Sequence, residues 1–191
     1  MQEEMKVAQL LSMMKETGAL LEGHFRLTSG LHSGHYMQCA LLLSVPRYAE
    51  YAGRMLAETL APLKAQAVFA PALGGVIIGH EVARHLDLPF YFAERENGAM
   101  KLRRFPKPAK IRFLVIEDVI TTGGSAMEVG TLISETGASW VGTGCIVDRS
   151  SGKAPFPHLL NSLWKASFPN FTEEDCPLCR EGKPIEKPGS R

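Results

Sequence analysis

Two adjacent carboxylates, Glu117 and Asp118, end an apolar run, Ile111–Ile116, and are followed by Val119, Ile120, Thr121, Thr122, Gly123, Gly124 and Ser125. The apolar run reads as a buried strand and residues 126–136 as a helix. A turn with unhindered N–H groups at the start of a helix is a site for phosphate. Glycines let the backbone come close to such a ligand, and hydroxyls add donors. The two carboxylates narrow the choice, because they would repel a bare phosphate. They suit a ligand that also carries hydroxyls or a divalent cation. A phosphorylated sugar with free diol oxygens meets both halves of the motif. The competing reading is a glycine turn after an incidental acidic strand end.

Three further segments bear chemistry. Pro71-Ala72-Leu73-Gly74-Gly75 lies between a short apolar run, Gln66–Ala70, and a helical stretch, Val76–Leu86. It is a second strand, glycine loop and helix, a weak anion-site signal by itself. Asp148-Arg149-Ser150 ends the apolar stretch Trp140–Val147. An arginine at the C-terminal edge of a parallel strand faces the ligand crevice, where its planar fork can grip a carboxylate-bearing substrate. The alternative is an ion pair with Asp148. Residues 94–107 carry Arg95, Lys101, Arg103, Arg104 and Lys107 around Asn97-Gly98. A mobile basic loop of this kind neutralises a highly charged leaving group and excludes water; a solvated surface loop is the alternative.

The elements that must position these groups alternate. Strands are expected near 66–70, 90–93, 111–116 and 140–147, and helices near 46–61, 75–86 and 125–136. Such a series gives an α/β fold with a mostly parallel central sheet flanked by helices. The loops 71–75, 117–125 and 148–150 then gather on one sheet edge. Helical spacing of Met5, Ala8, Leu11 and Met14 predicts an N-terminal helix stopped by Gly18. Tyr36–Leu43 is a strand candidate after the turn signals Thr28-Ser29-Gly30 and Ser33-Gly34. The expected organisation is a single domain over 1–191. Its core spans about 44–150 and its small hood about 1–43 and 151–191, with 159–165 as a strand of the hood.

The 191 residues carry a formal net charge of +1, so nothing general favours nucleic acid or membrane. No apolar run of 18 residues occurs, and Met1–Lys6 does not resemble a signal peptide. A cytoplasmic enzyme is expected. Cys176-Pro177-Leu178-Cys179 is the one CxxC pair. A four-thiolate zinc site would need Cys39 and Cys145 as well, and both fall in apparent strands, so the pair reads as a local turn with reduced thiols or a weak disulfide.

The stretch 111–126 resembles the phosphoribosyl-diphosphate signature of the type I phosphoribosyltransferases: an apolar strand, two acidic residues, two apolar residues, then Thr-Thr-Gly-x-Ser. Phe25, Leu27, Ser29, Gly30 and Ser33 match a Phe-x-Leu-x-Ser-Gly-x-x-Ser segment of orotate phosphoribosyltransferases. Asp148-Arg149 is similar to their acidic residue and orotate-binding arginine. The resemblance covers most of the chain. It implies a type I phosphoribosyltransferase fold with a small hood subdomain. It also implies transfer of the phosphoribosyl group from 5-phosphoribosyl 1-diphosphate to orotate, giving orotidine 5′-monophosphate and diphosphate in UMP synthesis. Mg²⁺ would accompany the donor, held mainly through substrate and water, with no firm protein ligand. A homodimer with shared active sites is implied, with no nucleic-acid or membrane partner.

The resemblance also distributes roles. Thr121, Thr122, Gly123, Gly124, Ser125 and Ala126 would hold the 5-phosphate, and Glu117 and Asp118 the ribose hydroxyls. Ala72, Gly74, Arg95 and Lys101 would hold the diphosphate, with unusual peptide geometry near Leu73. Ser29, Gly30, Thr121 and Arg149 would place orotate. Lys101, Arg103 and Asp118 would act in catalysis, with either Lys101 or Arg103 reaching into a neighbouring subunit. Arg95-Glu96 resembles the start of the family's flexible basic loop, but the usual lysine and histidine spacing after it does not recur. Thr28 stands where many relatives have lysine, with His32 and His35 as candidate substitutes. A phosphoribosyltransferase for another nucleobase, or a nucleotide-binding RNA regulator of the same fold, are the alternatives.

Overall fold

The computed structural model describes residues 2–27 and 29–188. Thr28, and with it the departure from the usual lysine, lies outside the described residues. In chain order the elements are α1 (Gln2–Glu16), β1 (Leu20–Arg26), β2 (His32–Met37), α2 (Cys39–Leu43), α3 (Pro46–Leu60), β3 (Ala67–Pro71), α4 (Gly74–Leu86), β4 (Phe90–Glu96) and β5 (Ala99–Lys101). They continue with β6 (Arg112–Ile120), α5 (Gly124–Ser134), β7 (Ser139–Asp148), β8 (Leu160–Lys165), β9 (Asn170–Phe171) and α6 (Pro177–Arg180). The chain divides into two compact units, residues 43–166 and residues 1–42 with 167–191.

The larger unit is built on a six-stranded sheet in the order β5-β4-β3-β6-β7-β8. Every neighbouring pair is parallel except β4 with β5. Central parallel strands are covered on both faces, so they read as continuous apolar runs rather than alternating ones. β3 is buried along its whole length, and Phe113, Leu114, Val115 and Ile116 of β6 are all inaccessible to solvent. One core packs Phe69, Phe113 and Val115 against Ala126, Val129 and Ile133 of α5. Because β3, β6 and β7 are adjacent and parallel, the loops that follow them emerge side by side at one edge. This α/β sheet, flanked by helices, is the expected fold class.

Three expectations are corrected. Residues 160–165 do not add to a hood; β8 pairs with β7 in the main sheet, with Val147 opposite Trp164 and Asp148 opposite Lys165. Residues 94–101 are not an open loop. β4 runs on to Glu96 and turns at Asn97 and Gly98, both at positive φ (51° and 84°), into β5. Two consecutive positive-φ residues suit the two-residue turn of a twisted hairpin, which Asn-Gly favours. Finally, Tyr36–Leu43 is not one strand. β2 ends at Met37 and Cys39–Leu43 is helical, because a short apolar run without alternation satisfies either period.

The smaller unit joins β1 and β2 as an antiparallel hairpin, with β9 added antiparallel to β2. Glu186 bridges to the first strand: Arg26 N–H donates to its carbonyl at 2.9 Å, and its own N–H donates to the His24 carbonyl at 2.8 Å. Leu10 and Met14 of α1 are fully buried, as Leu42 is, and Phe25 is nearly so. Among the described residues no helix is long and apolar enough to cross a membrane.

Candidate active site

β6 carries Glu117 and Asp118 to the edge of the sheet, and its strand continues through Ile120. Ile120 pairs with Asp148 of β7, and Arg149 N–H donates to the Ile120 carbonyl at 2.8 Å. The acidic pair, Thr121 and Arg149 are therefore placed along one edge by the ladder itself.

The two carboxylates are electrostatically costly where they stand. Burial, and then the neighbouring Asp118 charge, push Glu117 up to about 7. Burial also raises Asp118, against the opposing effect of backbone donors. One of these is the Val119 N–H, which donates to Asp118 Oδ1 at 2.9 Å. Among the described residues no side-chain cation pairs with either carboxylate. Buried carboxylates without a cation favour the neutral form until a ligand supplies hydroxyl donors or positive charge.

The turn after β6 is shaped by Gly123, at φ 80° and ψ 5°, immediately before α5. A side chain there would be strained by the backbone and would meet Phe156 Cζ at 3.0 Å. The first α-helical bond of α5 runs from Met127 N–H to the Gly123 carbonyl, at 2.9 Å. The N–H groups of Gly124, Ser125 and Ala126 precede it and have no acceptor within the helix. Gly124 N–H makes only a long contact, 3.4 Å, to Thr122 Oγ1. The result is a cradle of donors at a helix N-terminus, flanked by the hydroxyls of Thr121, Thr122 and Ser125.

The second loop packs directly on the acidic pair. A Cβ on Gly74 would lie 2.6 Å from Asp118 Oδ1, so only glycine allows this approach. The Ala72–Leu73 peptide is cis, the unusual geometry expected at Leu73. Ala72 N–H is committed to the Ala93 carbonyl at 2.8 Å. The N–H groups of Gly74 and Gly75, which open α4, have no acceptor within the helix and are offered to an anion on this loop.

Arg149 is half-buried, and that burial pulls its guanidinium below the usual arginine value. Asp148 Oδ1 accepts from Ser150 N–H at 2.8 Å and from Ser150 Oγ at 2.6 Å. Ser150, which the sequence reading passed over, thus fixes the acidic residue beside Arg149. Phe156, also passed over, backs the phosphate turn. Ser150 acts through a local contact two residues away, whereas Phe156 acts through contact between segments distant in sequence.

The basic residues of 94–107 are engaged elsewhere. Arg95 forms a fork on Glu128 of α5 at 2.8 and 3.0 Å and donates to the Gly98 carbonyl at 2.6 Å. Lys101 and Arg103 share Glu96, at 2.8 and 3.2 Å, and Arg104 pairs with Glu94 at 2.8 Å. Ser29 and Gly30 lie in the turn between β1 and β2, where Gly30 N–H donates to the Leu27 carbonyl at 2.9 Å. His32 is buried beside His24, and His35 stacks on Phe168 at 4.3 Å. Both candidate substitutes for a lysine thus lie within the smaller unit.

Residues 45–159 match the family model described as a phosphoribosyl transferase domain. Over 180 residues the chain is 51% identical to the orotate phosphoribosyltransferase of Thermotoga maritima, covering 93% of this chain and 96% of that one. The chain belongs to the orotate phosphoribosyltransferase family. A second orotate phosphoribosyltransferase, from Pelotomaculum thermopropionicum, is 47% identical over 184 residues and covers 96% of this chain and 97% of its own. The crystal structure of orotate phosphoribosyltransferase from Aeropyrum pernix superposes with a TM-score of 0.69 at 28% identity, covering 82% of this chain and 93% of that one.

Proposed function

We propose that the chain transfers the 5-phosphoribosyl group from 5-phosphoribosyl 1-diphosphate to the ring nitrogen of orotate, in UMP synthesis. The bond from C1 of the ribose to the diphosphate oxygen breaks, a C1–N bond forms and the ring N–H proton is released to the departing diphosphate or water, giving orotidine 5′-monophosphate and diphosphate. The observation that carries this reading is one sheet edge bearing two donor loops, a half-buried arginine and a pair of carboxylates that lack a cation among the described residues.

The donors of Thr121–Ala126 hold the 5-phosphate at the start of α5. Glu117 and Asp118 accept from the ribose hydroxyls and face the positive charge that develops on the sugar. Gly74 and Gly75, with the basic hairpin residues Arg95 and Lys101, hold the diphosphate; Lys101 or Arg103 meets its charge as it leaves. Arg149 grips the orotate carboxylate through its fork, Thr121 lies beside it, and the Ser29–Gly30 backbone is a further base contact. No side chain needs to act as a nucleophile, so catalysis is positional and electrostatic. Glu117 and Asp118 offer hard oxygen donors in want of positive charge, which fits Mg²⁺. Mg²⁺ accompanying the donor would supply positive charge for the departing diphosphate.

The decisive experiment offers a panel of free bases with the phosphoribosyl donor and Mg²⁺ and follows nucleotide formation. Orotate is the base consumed, and Arg149→Ala raises its KM roughly 100-fold, about 2.7 kcal/mol, leaving donor affinity unchanged. Unaltered orotate turnover in that variant would sink the base assignment. The active species is a homodimer with shared sites. Mixing Lys101→Ala chains with Asp118→Asn chains then restores part of the activity that each lacks alone; no recovery in any ratio counts against the sharing.

A further inference from the structure

We propose that the smaller unit holds one structural Zn²⁺ on His24 Nε2, His32 Nδ1, Cys176 Sγ and Cys179 Sγ. These four atoms lie within 4.8 Å of one another. His24 Nε2 is 3.1 Å from His32 Nδ1 and 3.5 and 3.6 Å from the sulfurs of Cys176 and Cys179. Cys179 Sγ is 3.2 Å from His32 Nδ1. Tetrahedral zinc with ordinary Zn–N and Zn–S bonds requires edges of about 3.3 Å between nitrogens and about 3.6 Å between nitrogen and sulfur. These four spacings fall within a few tenths of an ångström of those edges, and the other two edges are no longer than 4.8 Å.

The chemistry of the four groups agrees with the spacing. His24, His32 and Cys176 are buried, and Cys179 is partly so. Both cysteines are free thiols. His24 Nδ1 lies 2.9 Å from the Lys183 carbonyl, an oxygen that can only accept. That contact places the ring proton on Nδ1 and leaves the Nε2 lone pair directed at the cluster. An outer carbonyl fixing the tautomer in this way is the usual support of a metal-bound histidine. Two imidazoles and two thiolates form a closed set with no open position, which suits a structural zinc rather than a catalytic one.

The placement gives the metal a purpose. Two ligands come from the β1–β2 hairpin and two from the segment entering α6, more than 140 residues later in the chain. The smaller unit has a slight core, built around Leu10, Met14, Leu20, Phe25 and Leu42. β9 contributes two residues of pairing. A unit this small is commonly held by a metal or disulfides. Zinc would tie the C-terminal segment to the hairpin that carries Ser29 and Gly30.

The test is elemental analysis of the full chain purified without chelator or affinity metal. One zinc per chain is expected. Replacement by Co²⁺ should give the intense visible bands of a tetrahedral site, with thiolate charge-transfer bands in the near ultraviolet. Cys179→Ser should lower the zinc content at least fivefold, whereas Asp118→Asn should leave it at one per chain. A metal-free chain that gives no cobalt spectrum would overturn the proposal. So would a Cys176–Cys179 disulfide found by mass spectrometry of the alkylated native protein, or full zinc retention in Cys179→Ser.

Discussion

The acidic edge of β6 and the basic hairpin of β4 and β5 are treated in opposite ways by the fold. Glu117 and Asp118 are partly buried and lack a cation among the described residues, and both are raised. The hairpin cations are exposed and already paired: Arg95 with Glu128, Lys101 and Arg103 with Glu96, Arg104 with Glu94. An unsatisfied charge held on a rigid strand is a demand placed on a ligand. A satisfied charge on a solvent-exposed hairpin contributes little in place and can be released at little cost. The first region is built to bind, and the second to change partners.

The comparison can be broken most forcefully at Gly74. In Gly74→Ala the new Cβ would meet Asp118 Oδ1 at 2.6 Å, forcing the loop and the carboxylate apart. A fall in kcat/KM of roughly 100-fold is expected, as for other displacements of about an ångström at a reacting centre. Near-normal kinetics would show that the loop and the acidic pair do not work as one site.

A smaller effect sharpens the acidic side. Glu117 is raised from the ordinary glutamate range to about 7, so the folded chain binds more protons than the unfolded chain between these limits. Stability is therefore full below that window and is lost as pH rises through about 7. Thermal melts of wild type should show this decline, and Glu117→Gln should flatten it. Because the ionised form serves the sugar, log(kcat/KM) should rise with pH up to about 7 in wild type. That acid limb should disappear, at lower overall activity, in Glu117→Gln. A variant that keeps the limb would place the titration on another group.

The least effect is expected at Glu96. Glu96→Gln removes the partner shared by Lys101 and Arg103. The exposed pairs carry little stability, so melting should not shift measurably. Donor KM should fall roughly twofold to fivefold at low salt and revert at high salt, as screened charges do. An increase in donor KM would mean that Glu96 orients these cations productively rather than holding them back.

The sheet and its ligand loops were legible because burial on both faces writes long apolar runs into β3, β6 and β7, and because glycines mark the turns that follow. β8 was expected as a strand but in the hood, because Leu160–Lys165 is only half-buried along its length and its pattern does not reveal which sheet accepts it. The β4–β5 hairpin was signalled by Asn97-Gly98, but the surrounding basic residues drew the reading toward an open loop. Within the site, the carboxylates, the phosphate turn and Arg149 were visible as types and spacings. Phe156 was not, since its role arises only from tertiary contact, and Ser150 stood only as the end of its segment although its bond to Asp148 is local. His24 and His32 escaped for a related reason. The cysteine pair was weighed against other cysteines, whereas the nearby nitrogens are separated from it by most of the chain.

The pairing of β9 with β2 has a bearing on biosynthesis. The β1–β2 hairpin is synthesised before residues 43–166, yet the strand added to its sheet begins at Asn170. Residues 43–166, which form a compact unit of their own, are translated in between. The hairpin therefore keeps an open edge until Asn170–Phe171, synthesised after that compact unit, pairs with it.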